Sequence, residues 1–206
     1  MNKPLTQTEL SDHQKEQLTE VLNVAKTCQY EKAHTEHVTD LAMQIFNQFI
    51  PILQLDENAR FYLLCAAILH DIGVHTEGTR GHHKTALRII LSTPLLHFDS
   101  KERLIIGSIA RYHRKALPSI HHSHFAALNN QEKTLVVKLS AILRIADGLD
   151  YRHEGRVTKV KVILQKKKVI FQCKSKRNID KEIASASHKS DLMEKTLNRR
   201  IVFETI

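Results

Sequence analysis

The sequence predicts a mainly helical domain followed by a small α+β unit. Apolar residues recur at helical spacing as far as about residue 149, whereas two later segments are β-rich and partly alternate. The 206 residues are 42% hydrophobic with only 6 Gly and 4 Pro, which is enough apolar material for a core. We expect a helical domain over residues 1–152 and an α+β subdomain over residues 153–206 that packs on it, because so small a unit is marginal alone.

The composition narrows the class of protein. Lys and Arg number 31 and Asp and Glu 22, so the formal net charge of +9 favours anionic ligands. The 3 cysteines are far apart and form no CxxC pair, so we expect neither a disulfide framework nor a thiolate metal site. A reducing cytoplasm fits best.

Two further features bear on function. The first ten residues lack the apolar region of a signal peptide, and no stretch approaches the ~18 apolar residues of a membrane helix. The chain holds 14 histidines and no tryptophan, and histidine is the side chain that most often binds metals or titrates near neutrality. The histidine content therefore favours metal binding or acid–base chemistry.

Capping residues and apolar spacing define the first two helices. Ser11 with Gln14 resembles a capping box that opens the first helix. A second helical pattern covers about Tyr30–Ile50, and we expect Pro51 to mark its end.

The third helix is too apolar for a surface helix. It begins near Asp56, contains the apolar run 61–69, and has Gly73 in a position to cap its C-terminus. Further helices are predicted over about His82–Leu91, Asp99–His113 and Glu132–Leu149.

The last part of the chain predicts a ββαβ unit. Val157–Leu164 and Val169–Lys174 are β-rich segments that we interpret as a hairpin, although no turn glycine joins them. A helix over about Glu182–Leu197 and a closing strand over Arg200–Thr205 would complete the unit.

Asp71 is the first candidate for a functional residue. It follows ten residues without a charge, nine of them apolar, so its carboxylate is drawn toward the interior, where an unpaired charge is costly. A divalent cation would compensate it, with His70 as a second ligand. The competing interpretation is a helix-terminal Asp that accepts backbone hydrogen bonds beside a core histidine.

Polar residues interrupt two other apolar stripes. His37 lies on the apolar face of the second helix, and Asp147 ends the apolar segment 141–146. Together with His70 and Asp71 they supply two imidazoles and two carboxylates, a set suited to a divalent ion that keeps bound water. Such an ion yields a hydroxide nucleophile and stabilises phosphoryl oxygens. His34 shares the face of His37, so the sequence leaves open which of the two is the ligand.

Basic residues near these positions favour an anionic substrate. Arginine is well shaped for bidentate phosphate contacts. The alternative for each residue is that it complements a helix dipole. The candidate substrate-binding residues are Lys84, Arg111, Arg114, Lys115 and Arg144.

The ordered set of motifs resembles the HD superfamily of metal-dependent phosphohydrolases, whose signature is H…HD…D on separate helices. More narrowly, the chain resembles the C-terminal half of the Ppx/GppA family of exopolyphosphatases and guanosine pentaphosphatases, from about residue 12 to the end. The segments that carry this resemblance are YEKAHTEH at 30–37, AAILHDIG at 66–73, GHHK at 81–84, RYHRK at 111–115 and LRIADG at 143–148.

The resemblance implies an HD-type helical bundle that hydrolyses a phosphate ester or anhydride, such as a nucleotide or polyphosphate. Mn, Mg, Fe, Ni, Co or Zn would be its ion, and the family likeness also implies a homodimer. Asp71, His70 and Lys84 would be the catalytic residues. His37, His70, Asp71 and Asp147 would hold the ion, and His83 and His113 would hold a second ion or contact the phosphate.

A second hypothesis belongs to a different class of function. In the resembled family polyphosphate is cleaved in actin-like N-terminal domains, to which nothing in these 206 residues is equivalent. The chain would then be a non-catalytic module that binds polyphosphate or a guanosine alarmone beside an actin-like partner. Residues 155–179 carry nine basic residues and no acidic one, which fits a polyanion such as polyphosphate or RNA. The alternative is a solvated hairpin whose lysines protect an edge strand, and no interleaved aromatic residues support binding to nucleic acid.

Overall fold

The computed structural model describes residues 10–95 and 97–206. Across these residues it shows helices and one small three-stranded sheet, which confirms the mainly helical fold with a minor β component. The first nine residues of the predicted 1–152 domain, and most of the segment judged to lack a signal peptide, lie outside the described residues. None of the described helices has the length and apolar character needed to cross a membrane. The boundary between residues 152 and 153 stays a prediction.

The helices that precede the sheet follow the predicted order. Two short helices, α4 and α7, were not predicted. The bounds are α1 (Asp12–Thr27), α2 (Lys32–Leu53), α3 (Glu57–Leu69), α4 (Val74–Glu77), α5 (His82–Ser92), α6 (Ser100–Arg111), α7 (Ser123–Ala126) and α8 (Asn130–Gly148).

The C-terminal unit has the predicted strands but one more helix. The sheet order is β1-β2-β3, with β1 antiparallel and β3 parallel to β2. The single helix predicted over 182–197 is two helices, because the chain turns at Lys189 and Ser190. The elements are β1 (Lys159–Leu164), β2 (Lys168–Lys174), α9 (Asp180–His188), α10 (Asp191–Leu197) and β3 (Arg200–Thr205).

Two helix ends differ from the prediction. Helix α2 continues through Pro51 and ends at Leu53, where Gln54 adopts a left-handed conformation with φ of 53°. Gly73 does not cap α3, whose C-cap is His70, and its φ of −82° is not left-handed. A side chain at Gly73 would instead collide with the carbonyl oxygen of His82. This glycine is therefore needed for the close approach of α5.

Helices α2, α3, α6 and α8 surround the main core. Helix α2 buries Leu41, Ile45, Phe46 and Phe49 completely, on one face, as its apolar spacing predicts. Helix α3 is buried over most of its length, which explains why it is apolar all round. A charged residue at the end of α3 is thereby brought into the interior.

Two contacts illustrate how the C-terminal unit packs on the helices. Gln44 and Gln48 of α2 bond to the free edge of β1: their side-chain oxygens accept from the backbone N–H groups of Val160 and Val162 at 3.0 and 2.8 Å. Gly148, the last residue of α8, lies against Ala186 of α9, and a Cβ added there would be 2.6 Å from the Ala186 Cα. This contact allows α9 to reach the end of α8.

We expect Gly148→Ala to lower the free energy of unfolding by about 2 kcal/mol, because the added methyl group overpacks a backbone contact. Urea denaturation of the variant and the wild type measures this loss. Ala184→Ser, at an exposed position of α9, is the matched control and should leave stability unchanged. A Gly148→Ala variant as stable as the wild type would contradict the close packing of α9 on α8.

Candidate metal centre

Asp71 lies between two pairs of imidazole nitrogens. Its Oδ2 is 3.7 Å from Nε2 of His34 and 3.6 Å from Nε2 of His70. Its Oδ1 is 3.0 Å from Nε2 of His82 and 3.4 Å from Nε2 of His113. One carboxylate therefore faces four histidines, two on each oxygen.

Five helix ends bring these side chains together. His34 lies in the first turn of α2, His70 is the C-cap of α3, and His82 is the first residue of α5. His113 follows the end of α6, and Asp147 is the penultimate residue of α8. Side chains at helix ends can converge on one point even though the helices run in different directions.

The ligand atoms form two clusters. The inner cluster comprises His34, His70 and Asp147, and the outer cluster comprises Asp71, His82 and His113. In each, one possible ligand atom per residue lies within 4.8 Å of the others.

The spacing of the outer cluster fits one ion. Its three interatomic distances are 3.0, 3.2 and 3.4 Å. With metal–ligand bonds of about 2.1 Å, adjacent ligands lie about 3.0 Å apart in an octahedron and about 3.4 Å apart in a tetrahedron. The distances from His34 to the carboxylates of Asp71 and Asp147 are both 3.7 Å, so the inner site is slightly wider.

Each of the four histidines is oriented by its other ring nitrogen. A hydrogen bond from Nδ1 to an oxygen places the proton on Nδ1, which leaves the lone pair of Nε2 facing the cluster. This is the arrangement by which proteins commonly hold histidine ligands. The acceptors are Asp150 Oδ2 for His34 (2.8 Å), Ala67 O for His70 (2.7 Å), Thr79 O for His82 (3.1 Å) and Ala110 O for His113 (2.7 Å).

Buried polar atoms in the clusters lack hydrogen-bond partners among the described residues. They are Nε2 of His34, Nε2 of His70 and Oδ1 of Asp71. Unsatisfied buried polar atoms are rare in folded proteins and each requires an explanation. A cation bound between them would satisfy all three, so the donor set fits a divalent metal ion.

The electrostatic environment of the two clusters favours a cation. Burial alone would raise the pKa of Asp71, but His70, His82 and His113 hold it well below its usual range. Burial also acts against protonation of His34, yet the nearby Asp147, Asp150 and Asp71 raise its pKa to about 10. The three carboxylates therefore create a strongly negative potential at the centre of the clusters.

Residues outside the clusters fix the ring of His34. His153 stacks on it with ring centroids 3.6 Å apart and planes at 8°. Nδ1 of His153 lies 2.7 Å from Oε2 of Glu31, and the backbone N–H of Gly155 donates to Oδ1 of Asp150 at 2.8 Å. The His34 ring is therefore held from its face as well as from its edge.

A cleft of about 420 Å³ opens onto the clusters. Asp71, His82, His113 and Asp147 lie in its wall, so both clusters are reached from it. Two cations also line it. Nη1 of Arg114 is 3.5 Å from Nε2 of His82, and Nζ of Lys189 forms an ion pair with Oδ2 of Asp147.

Two histidines that were predicted as metal ligands, His37 and His83, lie outside the clusters, and a neighbouring histidine lies in each cluster instead. His37 lies in neither cluster: its ring faces Gly155, while His34, one turn earlier, approaches Asp71 and Asp147. In the outer cluster His82, and not the adjacent His83, faces Asp71. The reason is helical geometry, since three residues change the direction of a side chain by about 60° and one residue by about 100°.

The five basic residues that were predicted to bind substrate lie in different environments. Lys84 and Lys115 are exposed and do not line the cleft, so the structure does not place them beside Asp71. Arg111 is buried away from the cleft wall. Of the five, Arg114 lines the cleft.

Arg144 has a structural environment that differs from its predicted role. It is 2% exposed, and its guanidinium donates to the backbone oxygens of Lys189 at 3.2 Å and Tyr112 at 3.1 Å. It also donates to Oδ1 of Asp191 at 2.8 Å. These bonds join α8 to the turn between α9 and α10, and so fix the position of Lys189.

The residues of this site that were not predicted from the sequence include His82, Asp150, His153 and Lys189. His82 had a signal, because it is one of two adjacent histidines in a motif already singled out. Asp150 also had one, since it follows Asp147 by three residues at a helix end. Lys189 had none, because its position depends on how the C-terminal unit packs.

A model of the family described as Ppx/GppA phosphatase, domain III, matches residues 17–198. This match covers both clusters, the cleft and most of the C-terminal unit. A search of curated proteins returned no match to the chain.

We expect Arg144→Met to lower the free energy of unfolding by about 2 to 3 kcal/mol, because it leaves several backbone acceptors and Asp191 without their donor. Arg114→Met, at a half-buried position in the cleft wall, is the matched control and should change stability by less than about 0.5 kcal/mol. Thermal or urea denaturation measures both. Equal losses would contradict the structural assignment of Arg144.

Proposed function

This chain belongs to the Ppx/GppA phosphatase family through its domain III, and from that premise we propose that it is a metal-dependent phosphohydrolase of the HD type. It would cleave a phosphate ester or anhydride of a nucleotide or polyphosphate-like substrate. The observation that carries the proposal is Asp71, whose two carboxylate oxygens each face two histidine nitrogens.

The clusters provide ligands for one or two divalent ions. His34, His70 and Asp147 would hold an ion in the inner cluster, His82 and His113 would hold one in the outer cluster, and Asp71 would serve both. A bound divalent ion supplies an activated water and neutralises charge on the phosphoryl group. Carboxylate and imidazole ligands fit Mn, Mg, Fe, Ni, Co or Zn, and they do not select one of these metals.

The remaining residues would position the substrate. Arg114 and Lys189 place positive charge on the cleft wall next to the clusters. A phosphoryl group that entered the cleft would therefore meet two cations. The Nδ1 hydrogen bonds keep the four imidazoles in one tautomer, so these rings need no rearrangement during the reaction.

We expect the purified protein to release phosphate from nucleotides or simple phosphate esters with Mn, Mg, Ni or Co, and Asp71→Asn to lower the rate by about 100-fold or more. The reason is that Asp71 is the residue common to both clusters. Phosphate release measures the rate, and circular dichroism verifies folding. Equal rates in both proteins would remove the enzymatic proposal.

The histidines of α2 give a second, independent test. We expect His34→Ala to lower the metal content of protein purified without chelator by about tenfold or more, because it removes a ligand nitrogen. His37→Ala removes a histidine three residues away on the same helix and should leave the metal content unchanged. Elemental analysis measures both, and the reverse result would assign His37 as the ligand.

A second candidate function follows from the β1–β2 hairpin. Lys159, Lys161, Lys166, Lys167 and Lys174 are exposed. In the described residues the lysines that form ion pairs are Lys15, Lys32, Lys101 and Lys189, so the hairpin lysines have no carboxylate partner. This surface favours a non-catalytic module that binds polyphosphate or an alarmone beside an actin-like partner.

Polyphosphate binding separates the two candidates. If the hairpin is the binding surface, affinity should survive Asp71→Asn and fall when Lys166, Lys167 and Lys168 are changed to Gln, with a steep dependence on salt. Changing Lys15, Lys26 and Lys32 of the helical part to Gln is the matched control for net charge. Fluorescence anisotropy with labelled polyphosphate measures affinity, and an equal loss in both triple variants would assign the effect to net charge alone.

A further inference from the structure

Arg111 is a buried cation whose environment differs from that of the other buried arginine of this region. Arg111 is 5% exposed and Arg144 is 2% exposed. The guanidinium of Arg144 donates to four oxygens, whereas within residues 10–95 and 97–206 the guanidinium of Arg111 forms no hydrogen bond or ion pair. Its Cζ lies 5.7 Å from the centroid of the Tyr112 ring. An unpaired buried guanidinium is costly, so this site requires a counter-charge.

Other buried donors near Arg111 in the sequence or the fold also lack partners. Nη1 of Arg111, Nδ1 of His83 and Nε2 of His124 are all buried and unbonded among the described residues. Ser108, one turn earlier on α6 and fully buried, also has an unbonded hydroxyl. These groups can all donate hydrogen bonds.

The two histidines lie within the field of Arg111. Burial and then the charge of Arg111 lower the pKa of both His83 and His124 to about 4. The ring centroids of His124 and Tyr112 are 5.4 Å apart, which places His124 beside the aromatic ring that Arg111 covers. The ring of Tyr112 lies next to both Arg111 and His124, and the ring of His83 is 6.3 Å from that of His113, two residues after Arg111, so these donors lie in one region.

This group lies behind the outer cluster and not in the cleft. The ring of His83 is 5.7 Å from that of His82 and 6.3 Å from that of His113, measured between centroids. Neither His83 nor Arg111 lines the cleft of about 420 Å³. Lys84, next to His83 in the sequence, is exposed and adds a positive charge near this group.

We propose that Arg111, His83 and His124 form a binding site for a small oxyanion of the phosphate class, separate from the metal clusters. Arginine offers a planar fork of donors that matches two oxygens of such an anion, and the imidazole N–H groups add further donors. The site requires neither a bound metal nor turnover, so it does not depend on the proposed hydrolysis. A phosphate held there would be an effector or a non-reacting phosphoryl group of a longer substrate.

The test uses inorganic phosphate and the full chain as purified. Isothermal titration calorimetry at constant ionic strength should show saturable binding that weakens about tenfold or more in Arg111→Met. Arg114→Met, in the cleft, and Asp71→Asn, in the clusters, should both retain the Arg111-dependent binding. Loss in Arg114→Met with none in Arg111→Met would place the phosphate in the cleft and overturn the proposal.

A second measurement keeps the test valid if Arg111→Met does not fold. Crystals grown with selenate should show an anomalous peak between Arg111 and His83, and His124→Phe should weaken phosphate binding while preserving ring packing. Crystals grown with bromide are the comparison. A bromide peak at this place without a selenate peak would assign a halide and overturn the oxyanion assignment. Absence of both peaks would mean that water alone satisfies the donors, which would also overturn it.

Discussion

The carboxylate of Asp71 is the feature on which the rest of the structure depends. The apolar helix α3 carries it into the interior, where its charge must be balanced. Four histidines at the ends of α2, α3, α5 and α6 face it with Nε2, and each is held by a hydrogen bond at its far nitrogen. The relative positions of these helix ends therefore decide which nitrogens surround the carboxylate.

Burial that follows from a single apolar helix could be predicted from the sequence, whereas which of two neighbouring histidines faces the clusters depends on direction around the helix. Asp71 and Asp147 end apolar runs, so their burial follows from the runs themselves. His34 and His37 both precede the apolar stripe of α2, but at 100° per residue His34 lies about 40° from the middle of that stripe and His37 about 100°. These angles follow from the residue numbers alone, and they favour His34.

Three arginines that look alike in the sequence have three different environments. Arg111 and Arg114 flank the same histidine, yet Arg114 faces the cleft while Arg111 is buried beside the ring of Tyr112. Arg144 bonds to backbone oxygens and positions a turn. Sequence proximity to a candidate ligand therefore did not predict a position in the cleft wall, because side-chain direction and the packing of the C-terminal unit decide it.

The C-terminal unit adds a cation to a site built by the helical part. Gly148 follows Asp147 directly, and its contact with Ala186 brings α9 to the point where Lys189 pairs with that carboxylate. Arg144 also holds this turn, because its guanidinium donates to the backbone oxygen of Lys189. Folding of the C-terminal unit and the charge balance of the clusters are therefore linked, since Lys189 cannot reach Asp147 unless α9 lies on α8. His153 and Gly155 add a second link, because they contact His34 and Asp150 from the start of the same unit.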